Sequence, residues 1–259
     1  MITFTIVTCT YNAASVLQRT LHSVLMQEYE GVEHLIVDGA STDSTREMAE
    51  EYKRITDARQ CKGRTVKVVS EPDRGLYDAM NKALRMAAGD YLVFLNAGDS
   101  LPDRHTLEGI AAEAESAGMR PGVLYGDTDI VDAGGRFLRH RRLVPPEHLT
   151  WKSFRHGMLV CHQAFYVRTD VARRNPYNLN YRYSADVDWC IRVMKDCEAF
   201  GLSLLNLHRV VAYYLDGGMS VANHRASLRE RFKVMRSHYG LATTVAMHLW
   251  FFVRAAIRR

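Results

Sequence analysis

Cysteine is sparse and unpatterned: Cys9, Cys61, Cys161, Cys190 and Cys197 are the five in 259 residues, an odd number without a Cys-x-x-Cys pair. That scatter excludes a disulfide framework and a zinc knuckle, and it suits a reducing cytoplasm. Long hydrophobic runs are missing too, since no window reaches the roughly 18 apolar residues of a spanning helix. Met1-Ile-Thr-Phe-Thr-Ile-Val-Thr shows no basic leader before an apolar stretch, so the expected address is cytoplasmic. No Gly-x-Gly-x-x-Gly or Walker lysine motif follows the first apolar run, where Cys9-Thr-Tyr-Asn-Ala-Ala stands instead. Dinucleotide oxidoreductases and P-loop enzymes thereby lose their main support. Internal repeats, low-complexity segments and a Pro-, Ser- or Gly-rich linker are all absent, which favours one large domain with an appendage.

What is present is charge, unevenly spread. The formal charge is +5, yet residues 225–259 hold eight basic side chains and one acid, leaving 26 basic and 28 acidic in residues 1–224. The body is therefore −2 and the tail +7. A nucleic-acid binder carries its basic excess over a folded face, so no nucleic-acid partner is expected.

Short β-branched runs alternate with helical patterns through the first half, the sequence form of successive βαβ units. Strands are expected at about 3–9, 33–38, 66–70 and 90–95. Between them lie a helix with Val16, Leu17, Leu21, Val24 and Leu25 at helical spacing, a second capped by Asp43, and a third through Met80, Ala83, Leu84 and Ala87. Later come a helix at 104–117, a strand at Val123-Leu-Tyr, a hairpin tip at Gly134-Gly135 and a loop from Arg139 to Pro146. A strand at Cys161–Val167, a helix at Asp186–Cys197 and a strand at Leu204–Tyr214 complete the body. The expected fold is α/β, a mixed and mainly parallel sheet flanked by helices.

Ligands of such sheets bind beyond the strands' carboxyl ends. Asp38, Asp73 and Asp99 fall there, and gathering three carboxylates would be repulsive without a cation or donors to compensate. A nucleoside diphosphate with a divalent metal supplies both: Asp38 can accept from a base N–H, and Asp99 is placed for a hard cation. Each aspartate alone also reads as a turn former or helix cap, and Tyr11 as either base-pocket lining or packing. Asp186 and Asp188 are two apart at a helix start, so they point to different sides; either one faces the cleft or both serve the helix dipole.

The runs Phe4-Thr-Ile-Val-Thr-Cys-Thr-Tyr-Asn, Val37-Asp-Gly-Ala-Ser-Thr-Asp-Ser-Thr, Ser70-Glu-Pro-Asp-Arg-Gly-Leu-Tyr-Asp-Ala-Met-Asn-Lys-Ala and Gly89-Asp-Tyr-Leu-Val-Phe-Leu-Asn-Ala-Gly-Asp together resemble glycosyltransferase family 2, of GT-A (Rossmann-like) fold. Cys161-His-Gln-Ala-Phe-Tyr-Val-Arg, Ala185-Asp-Val-Asp-Trp-Cys-Ile-Arg and Gly217-Gly-Met-Ser resemble acceptor-side motifs of bacterial members that build surface polysaccharides. The resemblance implies a nucleotide site of Thr10, Tyr11, Asn12, Asp38, Asp73, Asn96 and Ala97, with Asp38 on the base and Asp73 near base or ribose. It implies that Asp99 binds Mg2+ or Mn2+, that Asp186 is the catalytic base, and that His162, Gln163 and Asp188 line the donor-sugar or acceptor side. Asn96 and Gly98 stand where many relatives have Asp, and Ala185 where Glu is usual. The implied activity is inverting transfer of a sugar from a nucleotide-diphosphate sugar, a UDP-sugar by expectation, to a glycan or polyprenyl-linked acceptor; the alternative is a nucleotide-sugar-binding protein without transfer. Residues 1–224 would be the catalytic domain, with a nucleotide-sugar half to about 105 and an acceptor half over 106–224.

Residues 225–259 read as a helical tail, with Leu228, Phe232 and Met235 on one stripe between Arg225, Arg229, Lys233 and Arg236. Val245-Ala-Met-His-Leu-Trp-Phe-Phe-Val follows, then Arg254, Arg258 and Arg259. Two readings stay open: an interfacial helix at the anionic inner face of the plasma membrane, or a helix docked on the body or in a homodimer.

Overall fold

The computed structural model describes residues 1–59, 63–217 and 224–257. β1 (Phe4–Thr10) and β2 (Val32–Asp38) are buried at every position, as strands covered on both faces must be. With β3 (Arg64–Ser70) and β4 (Tyr91–Phe94) they form a parallel block in the order β3-β2-β1-β4. Helices α1 (Ala14–Leu25), α2 (Thr45–Ala58) and α3 (Leu76–Met86) make the crossovers. Leu17, Leu21, Ala49 and Tyr52 cover Ile36 on one face of the sheet. Leu35 and Val37 turn the other way, towards Met80, Ala83 and Leu84.

The sheet then changes direction. After α4 (Thr106–Ser116), β5 (Val123–Val131) and β6 (Phe137–His140) form a hairpin, and β7 (Phe165–Arg168) runs antiparallel between β4 and β5. After α5 (Thr169–Arg174) and α6 (Ala185–Ala199), β8 (Leu204–Leu215) pairs parallel with β5. The expected α/β architecture, a mixed and mainly parallel sheet flanked by helices, is the one observed. α7 (His224–Tyr239) and α8 (Leu241–Ile257) close the described chain.

Local differences have physical causes. The strand expected from Cys161 begins at Phe165, because His162–Ala164 form a 3-10 turn that aims its polar side chains inward. The loop expected from Arg139 begins after His140, since the return arm of the hairpin pairs Arg139 and His140 with β5. Its tip is at the expected glycines, with Gly135 at φ 81°. Asp43 stands one residue before the cap position of α2, yet its Oδ1 accepts the Thr45 amide at 3.0 Å and so satisfies an end donor of that helix.

Candidate active site

Register brings the strand ends level: Thr10 pairs with Asp38, and Asp38 with Ser70. Asp38 is fully buried and accepts from the Ser41 amide at 3.0 Å and the Ser70 hydroxyl at 2.6 Å, with the Ser41 hydroxyl as a further donor. Thr10 Oγ1 is buried without a partner. Beyond these ends, Gly39 passes so close to its neighbours that a Cβ there would stand 2.6 Å from Asp73 Oδ2 and 3.3 Å from the Tyr11 ring. Asp73 is held by the Gly75 amide at 2.7 Å, while Tyr11 remains 64% exposed, an aromatic face open to a planar ligand. Asn12 and Ala40 take positive φ values of 47° and 61°, and Asn12 Oδ1 accepts the Thr42 amide at 2.8 Å. Strain of that kind persists only where the surroundings over-determine the backbone.

The loop Asn96–Asp99 follows β4. Asp99 is 3% exposed; its Oδ1 accepts the Leu215 amide at 3.0 Å and its Oδ2 accepts Gln163 Nε2 at 2.8 Å. Burial pushes its carboxyl up to about 6, against the lowering pull of those two donors, His162 and Arg19. Gly98 has φ 97°, and a Cβ there would meet Leu215 Cδ2 at 2.6 Å, which explains why this chain carries glycine at that place. Ala97 packs against the cluster of Leu17, Leu21 and Ile36. Among the described residues no three His, Cys, Asp or Glu side chains gather to hold a metal ion. The hard oxygens here are Asp99 and Asn96 Oδ1, which is buried with no partner. Both oxygens of Asp99 already accept protein donors, so Asn96 Oδ1 is an unpartnered oxygen of this loop, and a cation held here would keep its waters and take most ligands from a diphosphate.

Asp186 lies in the first turn of α6, its side chain 18% exposed. Tyr77 donates to its Oδ1 at 3.3 Å, and His162 Nδ1 stands 3.5 Å from its Oδ2. Asn96 Nδ2 donates to His162 Nε2 at 3.1 Å, which leaves the ring proton on Nδ1, facing Asp186. Burial pushes the Asp186 carboxyl up, but His162, Arg231 and the Val187 amide outweigh it and hold the group below the ordinary carboxylate range. Asp186 is therefore ionised at neutral pH and able to accept a proton. Tyr77 stacks on Tyr177 and Tyr177 on Trp189, an aromatic wall that fixes the phenol.

Contacts thus join Asn96, His162 and Asp186, with Gln163 holding Asp99 beside them. Gln163 is 1% exposed and spends its amide on Asp99 and Cys161, so it supports the Asp99 loop instead of lining an open cleft. Asp188 departs from its expected place on the donor-sugar or acceptor side. Its carboxylate is tied to Arg192 Nε and His238 Nε2, each at 2.8 Å, on the side of α6 that meets α7. Gly218, Met219 and Ser220 lie outside the described residues. Sequence reasoning missed Tyr77, although it sits inside a quoted motif, and missed Glu230 and Arg231. Glu230 accepts the amides of Arg182 at 2.9 Å, Tyr183 at 2.6 Å and Ser184 at 3.1 Å, the backbone that leads into α6.

The mixed sheet thus carries acidic residues in the loops at its strand ends and a partly exposed aspartate, Asp186, at the start of α6. Residues 5–174 match the family described as Glycosyl transferase family 2, and the chain belongs to it. The "PGL/p-HBAD biosynthesis glycosyltransferase" of Mycobacterium tuberculosis (strain ATCC 25177 / H37Ra) is 34% identical over 226 residues, 84% of this chain and 78% of the relative. The "Putative teichuronic acid biosynthesis glycosyltransferase TuaG" of Bacillus subtilis (strain 168) is 38% identical over 94 residues, 36% of this chain and 35% of that one. Among solved structures, S. aureus TarS 1-349 in complex with UDP-GlcNAc superposes with TM-score 0.70 at 19% identity, over 91% of this chain. This chain spans 65% of that TarS chain, and the likeness shows the shared fold. The mannosyltransferase PcManGT from Pyrobaculum calidifontis, solved with GDP-Man and Mn2+, has TM-score 0.61 at 19% identity, over 95% of this chain and 68% of that one.

Proposed function

We propose that the protein is an inverting glycosyltransferase that moves a sugar from a UDP-sugar to a hydroxyl of a glycan or lipid-linked saccharide in surface-polysaccharide synthesis. The observation that carries this reading is Asp186, ionised and oriented by Tyr77 and by the Asn96–His162 pair, beside the loop that ends β4. Asp38, Asp73 and Tyr11 would receive the base and ribose, with Thr10, Asn12 and Ala97 shaping the walls. Asp186 would take the proton of the acceptor hydroxyl as it attacks the anomeric carbon from the face opposite the diphosphate. One carboxylate suffices for such a single displacement, and the configuration inverts. Two held substrates favour the acceptor hydroxyl over water by orientation. Asp99 and Asn96 Oδ1 would hold Mg2+ or Mn2+, whose chemistry is to offset charge on the departing diphosphate.

Two results follow. Asp99→Asn keeps the shape of the side chain and removes its charge, so the Mg2+-dependent part of UDP affinity should fall roughly tenfold, the scale of one charge-assisted contact. Titration calorimetry with and without Mg2+ reads this, and an unchanged Mg2+ increment contradicts the metal role. His162→Ala removes a group that holds the Asp186 carboxyl down, so the acid limb of kcat/KM should move to higher pH. An unmoved limb would separate His162 from Asp186. The reaction itself is read by UDP release from donor sugars with saccharide acceptors, and by the product's anomeric configuration in NMR.

A further inference from the structure

α8 is built inside out. Thr244 is fully buried and donates to the Gly240 carbonyl at 2.7 Å, and the His248 ring packs on Phe232 with centroids 5.0 Å apart. Thr244 and His248 thus lie on the packed side of this helix. Leu241 (53% exposed), Val245, Leu249 (61%), Trp250 (51%) and Val253 face outward. Four of these lie four residues apart along one stripe, with Trp250 beside it, and no charged residue occurs from Leu241 to Val253. Isolated exposed apolar side chains are ordinary, but a continuous helical face of them is an interaction surface.

The neighbouring helix says what covers it. Arg225, Arg229, Lys233 and Arg236 are exposed on α7, again at helical spacing, and pair with no acid among the described residues. Arg254, Arg258 and Arg259 follow the apolar stretch in sequence, within the tail whose formal charge is +7. A second copy laid on this face would bring two like-charged stripes together, whereas an anionic surface offsets them. Among the described residues no helix is long and apolar enough to cross a membrane. We propose that the outward face of α8, flanked by the cations of α7, docks in the plane of an anionic lipid bilayer. Trp250 then sits at headgroup depth, and apolar contact and charge act together, as stable peripheral binding requires. α7 ties this surface to the body: Tyr239 stacks on Trp151 at an interplanar angle of 2°, and His238 binds Asp188. The docking stands on α7 and α8 alone, so it and the transfer reading can fail separately.

The test is flotation of the full chain with vesicles of phosphatidylcholine, with and without phosphatidylglycerol. Binding is expected with the anionic vesicles alone and should fall as salt rises. Leu249→Glu with Trp250→Glu should lower it at least tenfold while the melting temperature stays unchanged, and Arg229→Glu with Lys233→Glu should weaken it by a similar factor. Absence of flotation with phosphatidylglycerol overturns the proposal, as does equal flotation of the first double variant. A dimer in sedimentation that the first double variant dissolves, without flotation, gives the face to a second copy instead.

Discussion

Asp186→Asn is expected to reduce transfer by about 10²–10⁴-fold, the usual worth of a positioned general base, while UDP affinity stays within a factor of about two. The amide matches the carboxylate in shape and can still accept from Tyr77, so the aromatic wall need not move. What it loses is the affinity for a proton that the acceptor hydroxyl must give up. The separation between turnover and binding follows from the geometry. Asp38, Asp73 and Tyr11 belong to the ends of β1–β3, whereas Asp186 is carried by α6 and meets that region through Tyr77 of α3. UDP release in the presence of acceptor and calorimetric UDP binding, measured on the same preparation, check both halves. Turnover close to wild type would remove Asp186 from the reaction, and lost UDP affinity would place it in the donor site instead.

Glu230→Ala should cost stability and turnover together. Its carboxylate accepts three successive backbone amides, Arg182 to Ser184, from a helix more than forty residues later in the chain. The start of α6 contributes end donors of its own, so an anion there is favoured by both hydrogen bonding and the helix dipole. Alanine leaves those amides to water or to nothing, at a cost of about 2 kcal/mol for charge-assisted bonds. In a chain of this size that is a fall in Tm of about 4–8 °C. Asp186 is two residues beyond Ser184, so a loosened α6 start should also lower kcat. Glu230→Gln, which keeps an acceptor oxygen, should recover part of both effects. A melting temperature unchanged in Glu230→Ala would show that α7 does not secure the start of α6.

Most of the parallel half of the fold was legible in the chain because β1, β2 and β4 are buried at every position and carry short β-branched or apolar runs, Thr5-Ile-Val-Thr, Leu35-Ile-Val and Tyr91-Leu-Val-Phe. The 3-10 turn at His162–Ala164 was not. Its residues precede Phe165-Tyr-Val and look like the start of that strand, and only the tertiary demand of Asp99 and Asn96 for partners turns Gln163 and His162 inward. Spacing correctly set Asp186 and Asp188 on different sides of one helix. It could not tell which side meets α7, because that contact is made by His238, fifty residues away. Glu230 was hidden by arithmetic: as the single acid in a basic tail it vanished into the net charge, although its partners are backbone amides that composition does not register. The charge boundary at residue 225 falls one residue into α7, and α7 is bonded to the lead-in of α6 through Glu230 and to α6 itself through His238. The inside-out face of α8 was half legible, since the apolar run was plain but its outward direction depends on Thr244 and His248 being the packed side.

That the strand-end loops hold a nucleoside diphosphate is tested by thermal shift with UDP, GDP, ADP and UDP-sugars in Mg2+ or Mn2+, since a ligand of the folded state raises Tm by an amount that grows with the logarithm of its concentration over Kd. A rise is expected with UDP and UDP-sugars that depends on the metal, is lost in Asp38→Ala and survives in Asp186→Asn. No rise with any nucleotide, or a rise that Asp38→Ala leaves intact, would contradict it.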